Sequence, residues 1–395
     1  MKNFILISPH FPETYFRFAN ALRNNGFRVL GIGDAPVHEL SHEILNSMDE
    51  YYVCYDMENI NNLINAVKYY EYKYGHIDYL ESNNEYWLTK DAKLREIFNI
   101  DGIKGDEIFE FNHKSLMKKY YKKAKVKTAK YIIVETLDQI KQFANEVGYP
   151  IFIKPDMGVG ASGDYKIECE EDIVKFFDEK LDNVTYICEQ YITGDIVSFD
   201  GISNSRGEVI FATSSCFPPS VSEVLKKGDD FFYYTLPKVP NDLEDVGRRV
   251  VSAFNIKNRY FHLEFFRLTK TIKGVGKVND LFGLEVNIRP PGGYTPDLIN
   301  FANSVDSYQI YADSMIFDGN RQYMHHEKYY AACASRRDNK NYLYSDEEII
   351  SRYHGQLCNY GRYPDVFSGV MGNRFFMAKC KSKAEVIEFQ KMVGK

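Results

Sequence analysis

Three polar side chains, Glu285, Asn287 and Arg289, alternate with Leu284, Val286 and Ile288 in the stretch from Gly283 to Gly293. A period of two is strand geometry. It sends the apolar set to one face and the carboxylate, amide and guanidinium to the other. That trio suits a hard divalent cation with a phosphate beside it: Mg2+ takes oxygen ligands and shares them with substrate phosphates, and Arg grips phosphate or carboxylate with two parallel bonds. Pro290 and Pro291 end the strand, and Gly292-Gly293 allow a tight backbone path beyond it. A second alternating run, Tyr260 to Phe266, puts His262 and Glu264 on one face and Phe261, Leu263 and Phe265 on the other. If the two strands pair, Glu264 and Glu285 flank one or two metal ions. Taken singly, each run is equally an edge strand with ordinary polar residues.

Other groups are weaker alone. Lys154 closes the apolar run Pro150 to Ile153 and needs an anion or a carboxylate to meet. Gly158-Val-Gly160-Ala161-Ser162-Gly163 has free N–H groups that can wrap phosphate oxygens. It lacks the Lys-Ser/Thr ending of a P-loop and reads equally as a plain glycine turn. Lys114, Lys118 and Lys122 recur on one helix face after Asn112, the expected N-cap; the usual meaning is a solvated basic face. Glu81-Ser-Asn-Asn-Glu85 follows a strand end, where open parallel sheets bind ligands, although capping and turn formation explain it as well. Gly31-Ile-Gly33-Asp34 lacks the third glycine and the following helix start of a dinucleotide site. His325 and His326 are adjacent and point apart, so they make a poor metal pair.

The elements that must position these groups start with a strand–helix alternation over residues 1 to about 105. Strands at 4–7, 27–32, 50–54 and 77–80 and helices at 15–25 and 60–74 imply a parallel sheet covered by helices. Next come a strand over 127–134, a helix over 137–147, a strand over 150–155 and another over 184–192. A hairpin pairs 196–201 with 208–213, a polar loop spans 218–230, and a helix runs over 243–254. The spacing then predicts a single helix over 296–317, a strand over 329–334, a helix over 346–353, closing strands at Val370 and 375–378, and a final helix over 383–392.

Composition bounds the function classes. A chain of 395 residues suggests two or three domains, and 44% hydrophobic with 26% charged residues supports a sizeable core. A net charge of −6 argues against a nucleic-acid backbone as the main partner. Seven cysteines without CxxC or zinc spacing read as free thiols in a reducing compartment. No apolar run reaches membrane-spanning length and the first strand is too short for a signal-peptide core, so a cytoplasmic protein with no membrane partner is expected.

Taken in order, Lys114, Tyr149-Pro-Ile-Phe-Ile-Lys154-Pro155, the glycine run, Cys188-Glu189-Gln190-Tyr191-Ile192, His262-Leu-Glu264-Phe265 and Leu284-Glu285-Val-Asn287-Ile-Arg289 resemble the ATP-grasp superfamily. The likeness is to its carboxylate–amine ligase branch, near the biotin-carboxylase-like and L-amino acid ligase members, and it spans the whole chain. It implies an α/β fold: a Rossmann-like pre-ATP-grasp domain over 1–110, an ATP-grasp small lobe over 111–190, a large lobe with the metal site over 191–327, and a C-terminal extension over 328–395 packing on the large lobe. It implies ATP and Mg2+ as cofactors, with Mn2+ as a substitute, small-molecule carboxylate and amine substrates, and a homodimer.

The resemblance also assigns roles. Lys114 and Lys154 contact ATP phosphates, Lys154 together with Arg289 being catalytic. Gly158, Gly160, Ala161, Ser162 and Gly163 form a lid over the β- and γ-phosphates. Glu189 accepts from the adenine amino group, and the backbone of Gln190, Tyr191 and Ile192 makes the hinge contact. Glu264, Glu285 and Asn287 hold Mg2+. Arg289 stabilises the transferring phosphoryl group and the acyl phosphate made from it, and Gly292 and Gly293 border the substrate pocket. One position departs from the pattern: where the family often places an acidic ribose ligand, two residues after the hinge glycine, this chain has Ile196. Asp195 is the remaining candidate, although a regular strand points it the other way. Arg336 and Arg337, the 218–230 loop and Glu81 to Glu85 are candidate specificity elements, the arginines reading equally as members of structural ion pairs. The implied activity is ligation through an acyl phosphate. The alternatives are a carboxylase or phosphotransferase on the same fold, or a non-catalytic nucleotide-binding regulator, which the intact Glu264, Glu285, Asn287 and Arg289 set opposes.

Overall fold

The computed structural model describes residues 1–158, 163–218 and 228–395. The chain opens with four parallel strands, β1 (Asn3–Ile7), β2 (Arg28–Gly33), β3 (Glu50–Val53) and β4 (Tyr79–Glu81), in the order β3-β2-β1-β4. Alternate side chains feed two cores. Phe4, Leu6 and Val29 pack with Phe18 and Leu22 of the helix Phe16–Asn24, while Ile5, Ile7, Leu30 and Ile32 pack with Leu63, Val67 and Tyr70 of the helix Ile60–Tyr74. Burial on both faces is why these strands read as unbroken apolar runs. The strand order turns back at β1, which has β2 on one side and β4 on the other, and open α/β sheets bind ligands beyond the carboxyl ends of such strands.

A small antiparallel sheet follows: β5 (Tyr131–Ile133), β6 (Ile151–Pro155), β7 (Tyr165–Ile167) and β8 (Tyr186–Gln190), ordered β5-β8-β6-β7. Ile151, Ile153 and Cys188 face the helices Leu137–Val147 and Glu170–Glu179, meeting Ile140, Phe143, Ile173 and Phe176. The period of two then leaves Lys154 and Glu189 on the opposite face.

The remaining strands form one large antiparallel sheet. They are β9 (Gly194–Ser203), β10 (Val209–Thr213), β11 (Ser215–Phe217), β12 (Phe232–Thr235), β13 (Arg259–Leu268), β14 (Leu281–Asn287), β15 (Tyr330–Arg336), β16 (Leu357–Arg362) and β17 (Arg374–Cys380). The order is β14-β13-β9-β11-β12-β15-β17-β16, with β10 paired to β9. The segment after residue 328 thus joins this sheet edge to edge with three strands. Phe199, Phe261, Leu263, Phe265 and Val286 share one core with the helices Asn241–Ala253 and Lys383–Gly394.

A buried ion pair ties the first sheet to the large one. Glu81, at the end of β4, receives both Nη atoms of Arg259 at 2.7 and 2.8 Å and a third contact from Arg95 at 2.8 Å. Arg259 opens β13, and its Nε donates to the Ile288 carbonyl at 2.9 Å, one residue before Arg289.

Several local expectations differ. The helix expected over 296–317 is two, Thr295–Asn303 and Ser307–Phe317; Ser304 turns left-handed at φ 54°, and Asp306 caps the second by accepting from the Tyr308 and Gln309 N–H groups. Val370 lies in the short helix Ser368–Met371 instead of a strand. Asn112 ends the helix Gly105–Asn112 instead of capping the next. The strand expected over 127–134 is confined to β5. Among the described residues no helix is long and apolar enough to cross a membrane, and all seven cysteines are free of disulfides.

Candidate active site

β13 and β14 pair with Glu264 directly opposite Glu285 and His262 opposite Asn287. Cross-strand partners share a sheet face, so the polar groups of the two runs do meet. The register slips just beyond: Glu264 faces Glu285 but Phe265 faces Gly283, which makes Leu284 an extra residue in β14. Such a bulge bends its strand and re-aims the neighbouring side chain. It also displaces Leu284, expected in the core with Val286, to a half-buried position outside the core cluster. Beneath the bulge the helix Lys114–Lys123 comes as close as only glycine permits: a Cβ on Gly283 would lie 2.3 Å from the Tyr121 ring.

Two carboxylates facing each other across a ladder repel unless a cation lies between them. Their protonation splits accordingly. The Glu285 carboxyl is pushed up by burial and by the Glu85 and Glu264 carboxylates, with Lys114 opposing. Burial would also raise Glu264, but the His262 bond and charge hold it below the ordinary range. Lys114 leans over this face, with its Nζ 3.7 Å from Glu285 and donating to the Gly158 carbonyl at 3.0 Å. Asp156 holds it there. Its carboxylate caps the helix by accepting from the Ser115 N–H at 2.7 Å and hydroxyl at 2.8 Å, and its carbonyl accepts from the Lys114 N–H at 2.9 Å. Nothing in the sequence marked Asp156, because the capped helix starts far upstream of it.

Lys154 meets the carboxylate it needs: Glu189, at 2.7 Å. Lys118, expected on a solvated face, is instead 6% exposed and pairs with the other oxygen of Glu189. Burial alone would raise the Glu189 carboxyl, but the two ammonium groups overcome it and hold it down at about 2. An adenine amino group reaching Glu189 would therefore share a carboxylate whose two oxygens already face ammonium groups. The Gln190 N–H is committed to the Lys130 carbonyl at 2.9 Å, and Ile192 is buried against Leu268 and Phe282.

Arg289 lies at the end of the polar stripe. Its Nε donates to Glu85 at 2.9 Å, Nη2 bonds the same oxygen and comes within 3.5 Å of the Asn287 oxygen, and Nη1 donates to the Pro290 carbonyl at 2.9 Å. Glu85 follows β4, so the carboxyl end of the first sheet reaches the stripe. Gly293 has φ 60° and backs onto Met371, while Gly292 borders open space. Behind Glu264, His262 donates to it at 3.0 Å through Nε2 and to Asp200 at 2.5 Å through Nδ1. Burial lowers the imidazole pKa, and these two carboxylates outweigh it to raise the value to about 10.

Other expected site residues lie elsewhere. Asp195 is exposed, and the alternation of β9 sets it with Val197 and Phe199, on the face away from Ser198 and Asp200. The ribose contact is not assigned to it. Arg336 is 1% exposed and pins the tail, with bonds of 2.8 Å to the Val393 carbonyl, the Tyr344 carbonyl and Asp346. A guanidinium so enclosed, with Nε and Nη1 spent on the tail, is sealed away from any substrate. Arg337 likewise bonds the Asp229 and Ser368 carbonyls at 2.9 and 3.1 Å. Gly160, Ala161 and Ser162, and residues 219–227 of the expected loop, lie outside the described residues.

Among the described residues no cluster of three or more His, Cys, Asp or Glu could hold a metal unaided. Two opposed carboxylates beside an amide oxygen fit a hard divalent ion that completes its shell with phosphate oxygens and water.

The ATP-grasp domain family matches residues 119–269. The chain is 28% identical over 173 residues to a formate-dependent phosphoribosylglycinamide formyltransferase of Wolinella succinogenes, covering 42% of this chain and 41% of that protein. It is 24% identical over 203 residues to the L-arginine-specific L-amino acid ligase of Bacillus subtilis, covering 49% of each. The matches thus span under half the length of these curated relatives. The L-amino acid ligase from Bacillus licheniformis shares the fold, with a TM-score of 0.74 over 100% of this chain and 97% of that one at 16% identity.

Proposed function

We propose that this chain, which carries an ATP-grasp domain within an ATP-grasp fold, is an ATP-dependent ligase that joins the carboxylate of an amino acid to an amine. One observation carries the reading: Glu264 and Glu285 oppose each other across a strand pair, with Lys114 over them and Arg289 at the strand's end. The likeness to L-amino acid ligases supports the substrate class.

A free carboxylate acylates poorly because its leaving group would be oxide. In the first step a carboxylate oxygen bonds to the γ-phosphorus of ATP. The bond from that phosphorus to the β–γ bridging oxygen breaks, and ADP leaves with the electron pair. In the second step the amine nitrogen bonds to the acyl carbon, the carbon–oxygen bond to phosphate breaks, and the nitrogen loses a proton. No protein nucleophile is required, so the chain contributes positioning and charge.

Lys114 and Lys154 would neutralise phosphate oxygens, each already turned toward an acid. Glu189 restrains Lys154, and Asp156 restrains Lys114 through the helix start. Glu264, Glu285 and Asn287 would hold Mg2+, which when bound supplies positive charge to the phosphate oxygens. Arg289, held by Glu85, presents its guanidinium to the phosphoryl group in flight and to the acyl phosphate. The test is ADP release over a mixture of amino acids. Glu285→Ala and Arg289→Ala should each lower it by about 100-fold or more with circular dichroism unchanged. Near wild-type turnover in either variant overturns the assignment.

A further inference from the structure

A polar chain lies behind Glu264 that the two chemical steps do not use. The Ser215 N–H donates to Ser198 Oγ at 3.1 Å, and Ser198 Oγ donates to Asp200 Oδ2 at 2.6 Å. Asp200 Oδ1 accepts from His262 Nδ1 at 2.5 Å, and His262 Nε2 donates to Glu264 Oε1 at 3.0 Å. Ser198 and Asp200 are the β9 neighbours of Glu264 and His262 in the ladder, so β9, β13 and β14 together lay one polar stripe across the sheet. Ser215, Ser198 and Asp200 are sealed from solvent at 0% exposure, and the stripe opens only at its Glu264 and Glu285 end.

Burying a carboxylate and an imidazole in a sheet core is costly unless each is fully bonded. Here each is bonded in a way that leaves one orientation. Both ring nitrogens of His262 face carboxylate oxygens, at 2.5 Å from Asp200 and 3.0 Å from Glu264, so the ring is held at both ends. Asp200 fixes Nδ1, which obliges Nε2 to point at Glu264. One oxygen of Glu264 is thereby engaged, and among the described residues no hydrogen bond is made to the other.

The geometry points to His262 and Asp200 as positioning residues that make Glu264 a one-oxygen ligand, offering Oε2 alone to a divalent cation. This rests on the proposed reading that Glu264 and Glu285 hold that cation. Partners of this kind fix the rotation of a metal-binding side chain, and losing one commonly weakens metal affinity by about 10- to 100-fold. The direction is diagnostic. A histidine that merely fills space can be removed without weakening the cation; losing the ligand's orientation weakens it.

The test is Mn2+ binding to the full chain with a non-hydrolysable ATP analogue, read from the electron paramagnetic resonance signal of free Mn2+. His262→Leu should raise the Mn2+ Kd by about 10- to 100-fold, and His262→Gln, whose amide can still donate to Glu264, should recover most of the loss. If His262→Leu does not fold, the double variant Asp200→Asn, His262→Asn removes both the buried charge and the donor to Glu264 and is read in the same way. Unchanged or tighter Mn2+ binding on losing the donor, alongside lost binding in Glu264→Gln, overturns the positioning role. Unchanged binding in Glu264→Gln overturns the metal reading itself.

Discussion

Replacing Glu189 by Gln separates two accounts of that residue. As an adenine contact alone it would matter only when nucleotide is bound. As the shared partner of Lys118 and Lys154 it matters in the free protein, because all three side chains are buried. Removing one member of a buried charge pair typically costs about 3–5 kcal/mol, since the partner is left uncompensated. The pKa leads to a similar size: a carboxyl held at about 2, against an ordinary 4.5, corresponds to about 3 kcal/mol of folding free energy. The folded-state value is depressed, so this stability is fully present above pH 4.5 and is lost as pH falls through about 2. Lys118 is the member that yields first, because burial already lowers its pKa against the pull of Glu189.

Urea unfolding without nucleotide should therefore show Glu189→Gln destabilised by about 3 kcal/mol at pH 7, with the gap to wild type closing as pH falls from 4.5 toward 2. Adding Lys118→Met should recover part of the loss by removing one stranded ammonium. A cost under about 1 kcal/mol at pH 7, the size of an ordinary exposed pair, would refute the shared-partner account and return Glu189 to the adenine.

Three further outcomes follow from the same packing. Asp156→Ala removes the cap of the helix Lys114–Lys123; it should cost about 1 kcal/mol and raise the KM for ATP more than it lowers kcat, as measured by initial rates. Glu81→Ala strands Arg259 and Arg95 at the joint between the first and large sheets and should cost about 3–5 kcal/mol in urea, while an exposed control such as Glu347→Ala stays near wild type. Gly283→Ala drives a methyl group into the Tyr121 ring and should cost about 1–3 kcal/mol; pairing it with Tyr121→Phe, which leaves the ring in place, should bring no relief.

The parts of this site that were legible are those set by alternation. His262 with Glu264, and Glu285 with Asn287, share a face because a strand has a period of two, and a lysine ending an apolar strand had to find an acid. What stayed hidden depends on pairs distant in the chain. The bulge at Leu284 is a property of the register between two strands, and Lys118 is buried only because Glu189 stands across from it. Asp156 caps a helix that precedes it, and helix periodicity cannot see such a cap. Ser304 breaks the helix over 296–317 without Gly or Pro, the usual punctuation for a break. Strands β11 and β12 are short and lean on neighbours for their burial, and β16 has no buried residue to mark it. Arg336 reads from the sequence equally as a specificity element or as half of a structural ion pair, and only its three partners in the tail reveal a structural pin.

The central claim is an acyl phosphate made on this strand pair. Its most direct measurement uses amino acids labelled with 18O in the carboxyl group, incubated with the protein, Mg2+ and ATP, with the released phosphate analysed by mass spectrometry. The account predicts one labelled oxygen per phosphate, carried from the carboxylate through the phosphorus–oxygen bond formed in the first step, and no such release from Glu285→Ala. Phosphate without label, or label transfer that survives in Glu285→Ala, would contradict it.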